Sequence, residues 1–201
     1  EEVKLIDMID YYNEPKVVGI GETGLDYYYN YSPKQNQIDS FKMHCEINKL
    51  TKLPLIIHNR LSEEDIISVL TSEKKVNPSI NGVIHCFSST YDFASKCIDL
   101  GFYISFSGIL TFKNASDLRD TAKKIPLDRV LIETDAPYLA PEPHRGKTNE
   151  PSYVIETAKK FSEIRGLSLS EVANVTTNNF YNLFSKIPKK LHDKSIINIR
   201  K

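Results

Sequence analysis

Four polar residues of the 201-residue chain each close a short apolar run: Glu22 ends residues 17–22, His58 ends 54–58, His85 ends 81–85 and Asp135 ends 130–135. Strands buried on both faces read as near-continuous apolar stretches. These runs therefore predict parallel strands whose ends bring two carboxylates and two imidazoles together, which is what a divalent metal needs. The donor mixture suits zinc, manganese or magnesium, and the imidazoles move the balance from magnesium toward transition metals. As ligands, both histidines must be neutral. A single histidine at a strand end reads as well as a hydrogen-bonding cap; four convergent residues read as a ligand set.

Other polar residues stand close to these four in sequence. Arg60, two residues beyond His58, is a candidate for bidentate phosphate binding or for a surface ion pair. Glu133 shares a strand face with Asp135 and is either a support for a ligand or a satisfied interior carboxylate. His144, Arg145, Lys147 and Asn149 occupy the loop after the last run, as contacts to a substrate phosphate or as ordinary turn residues. Asp26 follows Glu22 closely enough to orient a loop or a ligand, and Tyr27, Tyr28 and Tyr29 can stack on a base or simply pack.

The elements that must position these residues follow from the spacing. The steps from Glu22 to His58 and from His58 to His85 are close to the ~30 residues of one strand–helix–strand unit, and a further strand-like run at 102–108 fills the longer gap before Asp135. Helices are predicted between the strands. Ser32, Pro33 and Gln35 suggest a capping box with Ile38, Phe41 and Cys45 on one face. Ser62 with Asp65 opens a helix carrying Ile66, Val69 and Leu70, and residues 91–100 form one that stops at Gly101. After a loop containing Pro137, Pro141, Pro143 and Pro151, helices are predicted at 152–165 and 168–184, the second opened by Ser168 and Glu171. Residues 2–12 read as an amphipathic helix with Val3, Ile6 and Ile9 along one side.

Strands alternating with helices imply a parallel sheet, and functional residues at several strand ends point to the eight-stranded (β/α) barrel, whose active site lies at the C-terminal face. Only five strands are found. The expectation is an incomplete barrel with about three strands missing, corresponding to roughly 90 residues upstream of Glu1 at ~30 residues per unit. The barrel domain is assigned to residues 1–185. A basic tail at 186–201, with Asp193 as its single acid, reads as a solvated terminus or as a phosphate contact.

Composition is that of an ordinary globular protein, 40% apolar and 26% charged with zero net charge, so charge alone gives no hint of nucleic acid. No apolar run approaches a membrane span and no secretory leader is evident. Cys45, Cys86 and Cys97 lack metal-type spacing and read as reduced packing residues of a cytoplasmic protein.

The motifs GETGLDYY (21–28), PLIIHNR (54–60), GVIHCFSS (82–89), LIETDAPYL (131–139) and RGKTNEPSYV (145–154) strongly resemble those of the TatD family of metal-dependent deoxyribonucleases, in order and at compatible spacing from about Val17 to Phe184. The resemblance implies that Glu22 bridges two divalent ions, that His58 and His85 bind one of them and that Asp135 belongs to the other, with Glu22 and Asp135 as catalytic residues. It implies DNA as substrate, cleaved by water activated between two ions; the residues themselves, by their place near the site, offer Arg60, His144, Arg145 and Asn149 as substrate contacts, and no obligate protein partner is expected. The His-x-His pair usual in the family is absent, since His44, His144 and His192 are the only other histidines. At most one ion is then expected to keep a strong ligand set, through Glu22, His58 and His85, and the chain alone is expected to be largely inactive. A barrel hydrolase acting on an amide or ester, or a non-catalytic remnant of the fold, remains the alternative.

Overall fold

A computed structural model describes residues 5–29 and 31–189, the side chains of residues 5–8 excepted. A first helix, α1 (Leu5–Asn13), leads into a repeated alternation: β1 (Ile20–Asp26), α2 (Lys34–Thr51), β2 (Leu55–Arg60), α3 (Glu63–Val76), β3 (Gly82–Ile84), α4 (Tyr91–Asp99), β4 (Tyr103–Phe106), α5 (Ser116–Lys124) and β5 (Val130–Ile132). A long loop then precedes α6 (Val154–Arg165) and α7 (Leu169–Leu183).

All five strands are parallel and lie in chain order, β1 to β5. A doubly wound sheet reverses its strand order at a switch point; this one never does. Right-handed crossovers then put successive helices on the same face, which is the winding of a (β/α) barrel, here as a five-strand arc. Side-chain alternation divides the sheet accordingly. Leu55, Ile57, Ile84, Ile104, Phe106 and Val130 face the helices in the main core, with Phe41, Cys45, Ile66, Leu70, Ala94 and Phe161 packed on them. Val83, Tyr103 and Leu131 face the inner side, where Leu183 and Phe184 cover them with Ile56 alongside.

The helix starts differ in detail from the sequence reading. At α2 the predicted capping box does not form: Pro33 is the cap residue, with an extended ψ of 141°, and no side chain caps the helix. Gln35 instead bonds Asp39, while Gln37 reaches back to the carbonyls of Ser32 and Asp26 and its Oε1 accepts from the Asp26 N–H at 2.8 Å. Ser62 precedes α3 as expected, but its hydroxyl donates to the Leu25 carbonyl and to Asn59 rather than capping the helix. The box predicted at Ser168 and Glu171 does form, at the start of α7. α5 was not anticipated; it buries only Leu118, Thr121 and Ala122, too sparse a stripe to be read from sequence.

Val3 and residues 190–201 of the predicted tail lie outside the described residues. Lys186 donates to the carbonyls of Glu14 and Val17. No helix among the described residues is long and apolar enough to cross a membrane. Cys45 and Cys97 are buried and all three cysteines are free.

Candidate metal centre

The four strand-end candidates line one cavity of ≈ 720 Å³ at the C-terminal side of the sheet, together with Arg60, Cys86 and Tyr138. The elements end differently from the apolar runs. β1 continues four residues past Glu22 to Asp26, and β2 continues past His58 to Arg60, whereas β3 and β5 stop short of His85 and Asp135. Convergence comes from register. Ile57 pairs with Ile84, which sets His58 and His85 side by side on the inner face. Gly24 pairs with His58, and the ladder slips between Ile20 and Thr23. Glu22 sits in that irregularity, the kind of bulge that re-aims a side chain beside a functional site.

Ligand atoms of Glu22, His58 and His85 all lie within 4.8 Å of one another. His58 Nδ1 and His85 Nε2 both point at the same carboxylate oxygen, Glu22 Oε1, at 3.0 and 2.9 Å. Each imidazole is held from behind by another acid: His58 Nε2 lies 3.1 Å from Asp26 Oδ2, and His85 Nδ1 lies 3.7 Å from Glu133 Oε2. Histidine ligands characteristically give their second nitrogen to a carboxylate that fixes ring and tautomer. One carboxylate and two such imidazoles, aimed at a common point, fit a divalent ion. Asp135 borders the cavity but falls outside this close trio.

The acids govern the charge of the site. Hydrogen bonds from His58 and His85 pull the Glu22 carboxyl far below its ordinary range, against the opposing effect of burial. Burial opposes charge on His85, yet Glu133 and Glu22 outweigh it and lift its pKa from 6.5 to about 10. His58 is raised as well, chiefly by Glu22 with Asp26 adding to it. Asp135 is shifted upward, first by burial and then by the charges of Glu133 and Glu22, with His85 opposing.

Surrounding contacts fix these groups in place. Asp26 Oδ1 accepts the backbone N–H groups of Tyr28 and Tyr29 at 2.9 and 3.1 Å, so one carboxylate ties a histidine to the tyrosine turn. Glu133 also accepts the Cys86 N–H. Cys86 lines the cavity beside Ser107, and burial pushes its thiol up to about 12. Glu63, at the start of α3, accepts from Asn59 and Ser89 and thereby joins the end of β2 to the loop after β3.

Of the four substrate-contact candidates, only Arg60 lines the cavity. Its guanidinium lies over the rings of Tyr28 and Tyr29, at 4.1 and 4.6 Å. The other three serve the loop that follows β5, because that loop folds back on itself. His144 stacks on Tyr153 with ring centroids 3.8 Å apart. Arg145 covers the Phe112 ring and donates to the Ala140 carbonyl. Asn149 is buried; its amide donates to the Thr134 and Tyr138 carbonyls at 2.7 and 2.6 Å, and its oxygen accepts from the Glu150 N–H. It clasps the turn that carries Asp135, whose φ of 58° lies in the left-handed region. No sequence signal distinguished that clasp from a substrate contact.

Comparison with known proteins agrees with the motifs. The family described as TatD related DNase matches residues 1–185. The uncharacterized metal-dependent hydrolase YcfH of Escherichia coli K12 is 49% identical over 171 residues, covering 85% of this chain and 64% of that protein. The uncharacterized metal-dependent hydrolase YabD of Bacillus subtilis 168 is 44% identical over 169 residues, covering 84% and 66%. The chain thus spans a little under two thirds of the length of these relatives. The crystal structure of YJJV, a TatD homolog from Escherichia coli K12, matches with a TM-score of 0.83 at 29% identity, over 92% of this chain and 69% of that one. A hydrolase of the TatD family from Entamoeba histolytica matches with a TM-score of 0.79 at 27% identity, over 93% and 70%. With the family match running over residues 1–185, the chain belongs to the TatD family.

Proposed function

We propose that the protein is a metal-dependent hydrolase cleaving phosphodiester bonds of DNA. The observation that carries this reading is the convergence of His58 Nδ1 and His85 Nε2 on Glu22 Oε1 in a cavity that Arg60 also lines. The family description as TatD related DNase supports the substrate. Glu22, His58 and His85 would hold the ion, and zinc or manganese suits the two imidazoles better than magnesium. When bound, a divalent ion supplies charge stabilisation on phosphodiester oxygens and a nucleophile at neutral pH.

The chain's own residues have separate tasks. Asp26 and Glu133 keep the two imidazoles oriented. Arg60 forms no ion pair or side-chain hydrogen bond among the described residues, so its planar fork is available to a phosphate, which it can bind through two parallel hydrogen bonds. Asp135, which lines the same cavity, is assigned to accept at its carboxylate the proton that the attacking water gives up. Its place outside the ligand trio favours one ion for the chain as it stands. The test is metal binding and hydrolysis of a labelled oligonucleotide at high protein concentration with added Mn²⁺ or Zn²⁺, for the chain, whose turnover is expected to be low, and for H85A and E22A. Cleavage that needs metal and is lost in both variants supports the reading; no cleavage and no bound metal would leave a non-catalytic remnant of the fold.

A further inference from the structure

Four tyrosine rings stand in solvent around the metal cavity: Tyr28 is 56% exposed, Tyr29 48%, Tyr31 89% and Tyr138 70%. Aromatic rings normally bury 150–250 Å² each, and exposed apolar surface gathered in one place marks a binding site. Tyr29 and Tyr31 line the cavity from the turn after β1, and Tyr138 lines it from the turn after Asp135.

The first wall is preformed. Tyr29 and Tyr31 stack with centroids 5.3 Å apart and planes within 7°. Arg60 lies against Tyr28 and Tyr29, and Asp26 fixes the backbone of both. Tyr28 and Tyr29 are therefore occupied in holding the guanidinium, whereas Tyr31 keeps the ring face turned away from Tyr29 and Tyr138 is 70% exposed. A phosphate on Arg60 would bring its attached base toward those faces. Asn59, the amide in the lining, donates to Glu63 and accepts from Ser62, which fixes its orientation. Flat faces beside a phosphate-binding arginine suit a nucleobase, since every base has a π-face and stacking tolerates any sequence.

We propose that Tyr31 and Tyr138 form a nucleobase-stacking clamp at the mouth of the metal cavity, seating the base next to the scissile phosphate by its faces regardless of its identity. The inference rests on the phosphodiester reading and deepens it. Because both side chains are exposed, removing them should leave the fold intact.

The test uses the 201-residue chain in excess chelator, with short oligonucleotides carrying a terminal 2-aminopurine, and matched oligonucleotides with an abasic terminus. The expected result is tighter binding of the base-bearing strand than of the abasic one, with quenched 2-aminopurine emission. Tyr31→Ala and Tyr138→Ala should each weaken base-dependent binding about ten-fold at unchanged thermal unfolding, and Tyr31→Phe should retain it. Equal binding of base-bearing and abasic strands, without quenching, would overturn the clamp and leave the phosphodiester reading standing. No binding of either strand would likewise overturn the clamp, and the metal-dependent cleavage assay decides the phosphodiester reading separately.

Discussion

Gly24 passes so close to His58 that a Cβ built on it would stand 2.1 Å from the His58 carbonyl oxygen and 2.9 Å from its nitrogen. Its φ of 134° adds a conformation that other residues rarely adopt. The second glycine of GETG thus lets β1 approach the backbone that carries His58, while the register slip beside it aims Glu22.

Gly24→Ala should accordingly separate β1 from β2 at the level of His58. We expect a loss of about 3 kcal/mol or more together with loss of metal binding, because the Glu22 oxygen would leave the imidazole nitrogens. Thermal unfolding and metal content of the purified variant check this. Wild-type stability with a full metal complement would show that β1 does not depend on this contact.

The carboxylates behind the imidazoles give a second prediction. Asp26→Asn keeps the shape and the Oδ1 acceptor for Tyr28 and Tyr29 but removes the charge behind His58; Glu133→Gln does the same behind His85. Such partners typically change metal affinity 10–100-fold. Each variant should bind Zn²⁺ about ten-fold or more weakly in competition with a chromogenic chelator, with little change in fold. Unaltered affinity would reduce both acids to structural polar residues.

Charge at the site also fixes the direction of its pH dependence. In protein stripped of metal, His85 titrates near 10 rather than at its ordinary 6.5. The stability from its protonated form is therefore complete below about 6.5 and is lost as pH rises through about 10. The lowered Glu22 carboxyl acts oppositely, its contribution present above the ordinary carboxylate range and lost only in strong acid. Metal must displace the histidine protons. Binding at pH 7 should release protons, seen in calorimetry as a heat that varies with the ionisation enthalpy of the buffer, and apparent affinity should rise with pH. A buffer-independent heat would contradict protonated ligands.

Much of this arrangement was legible in the sequence because its signals were local. Four apolar runs ending in His, Glu or Asp, with a fifth at 102–108, gave the strands and four residues of the cavity, and Ser168 with Glu171 gave a helix start. The rest depends on partners distant in sequence. Gln35 had the right spacing for a capping box, but Gln37 is the residue that bonds across to β1, so proximity to the Asp26 backbone decided what spacing could not. The strand that carries Glu22 runs on to Asp26 because β2 continues beside it, a fact of pairing invisible in the apolar pattern. His144, Arg145 and Asn149 were polar residues in a loop near the site, and only the fold shows that the loop turns inward to bond itself.

Asn149 supplies the last prediction. Its buried amide satisfies the Thr134 and Tyr138 carbonyls on either side of Asp135, and its oxygen satisfies the Glu150 N–H. Asn149→Ala would leave these groups without their partner, and each unsatisfied buried group costs about 1–3 kcal/mol. Partial access of water to the exposed turn offsets part of that sum, so a net loss of about 2–3 kcal/mol is expected, lowering the midpoint of thermal unfolding by roughly 5–10 °C. The loosened turn would also release Asp135 from its left-handed conformation. Metal affinity, which the proposed site places on Glu22, His58 and His85, should change little while any metal-dependent cleavage falls. A substrate-contact role would instead raise KM at unchanged thermal stability, so unfolding measured beside kinetics separates the two.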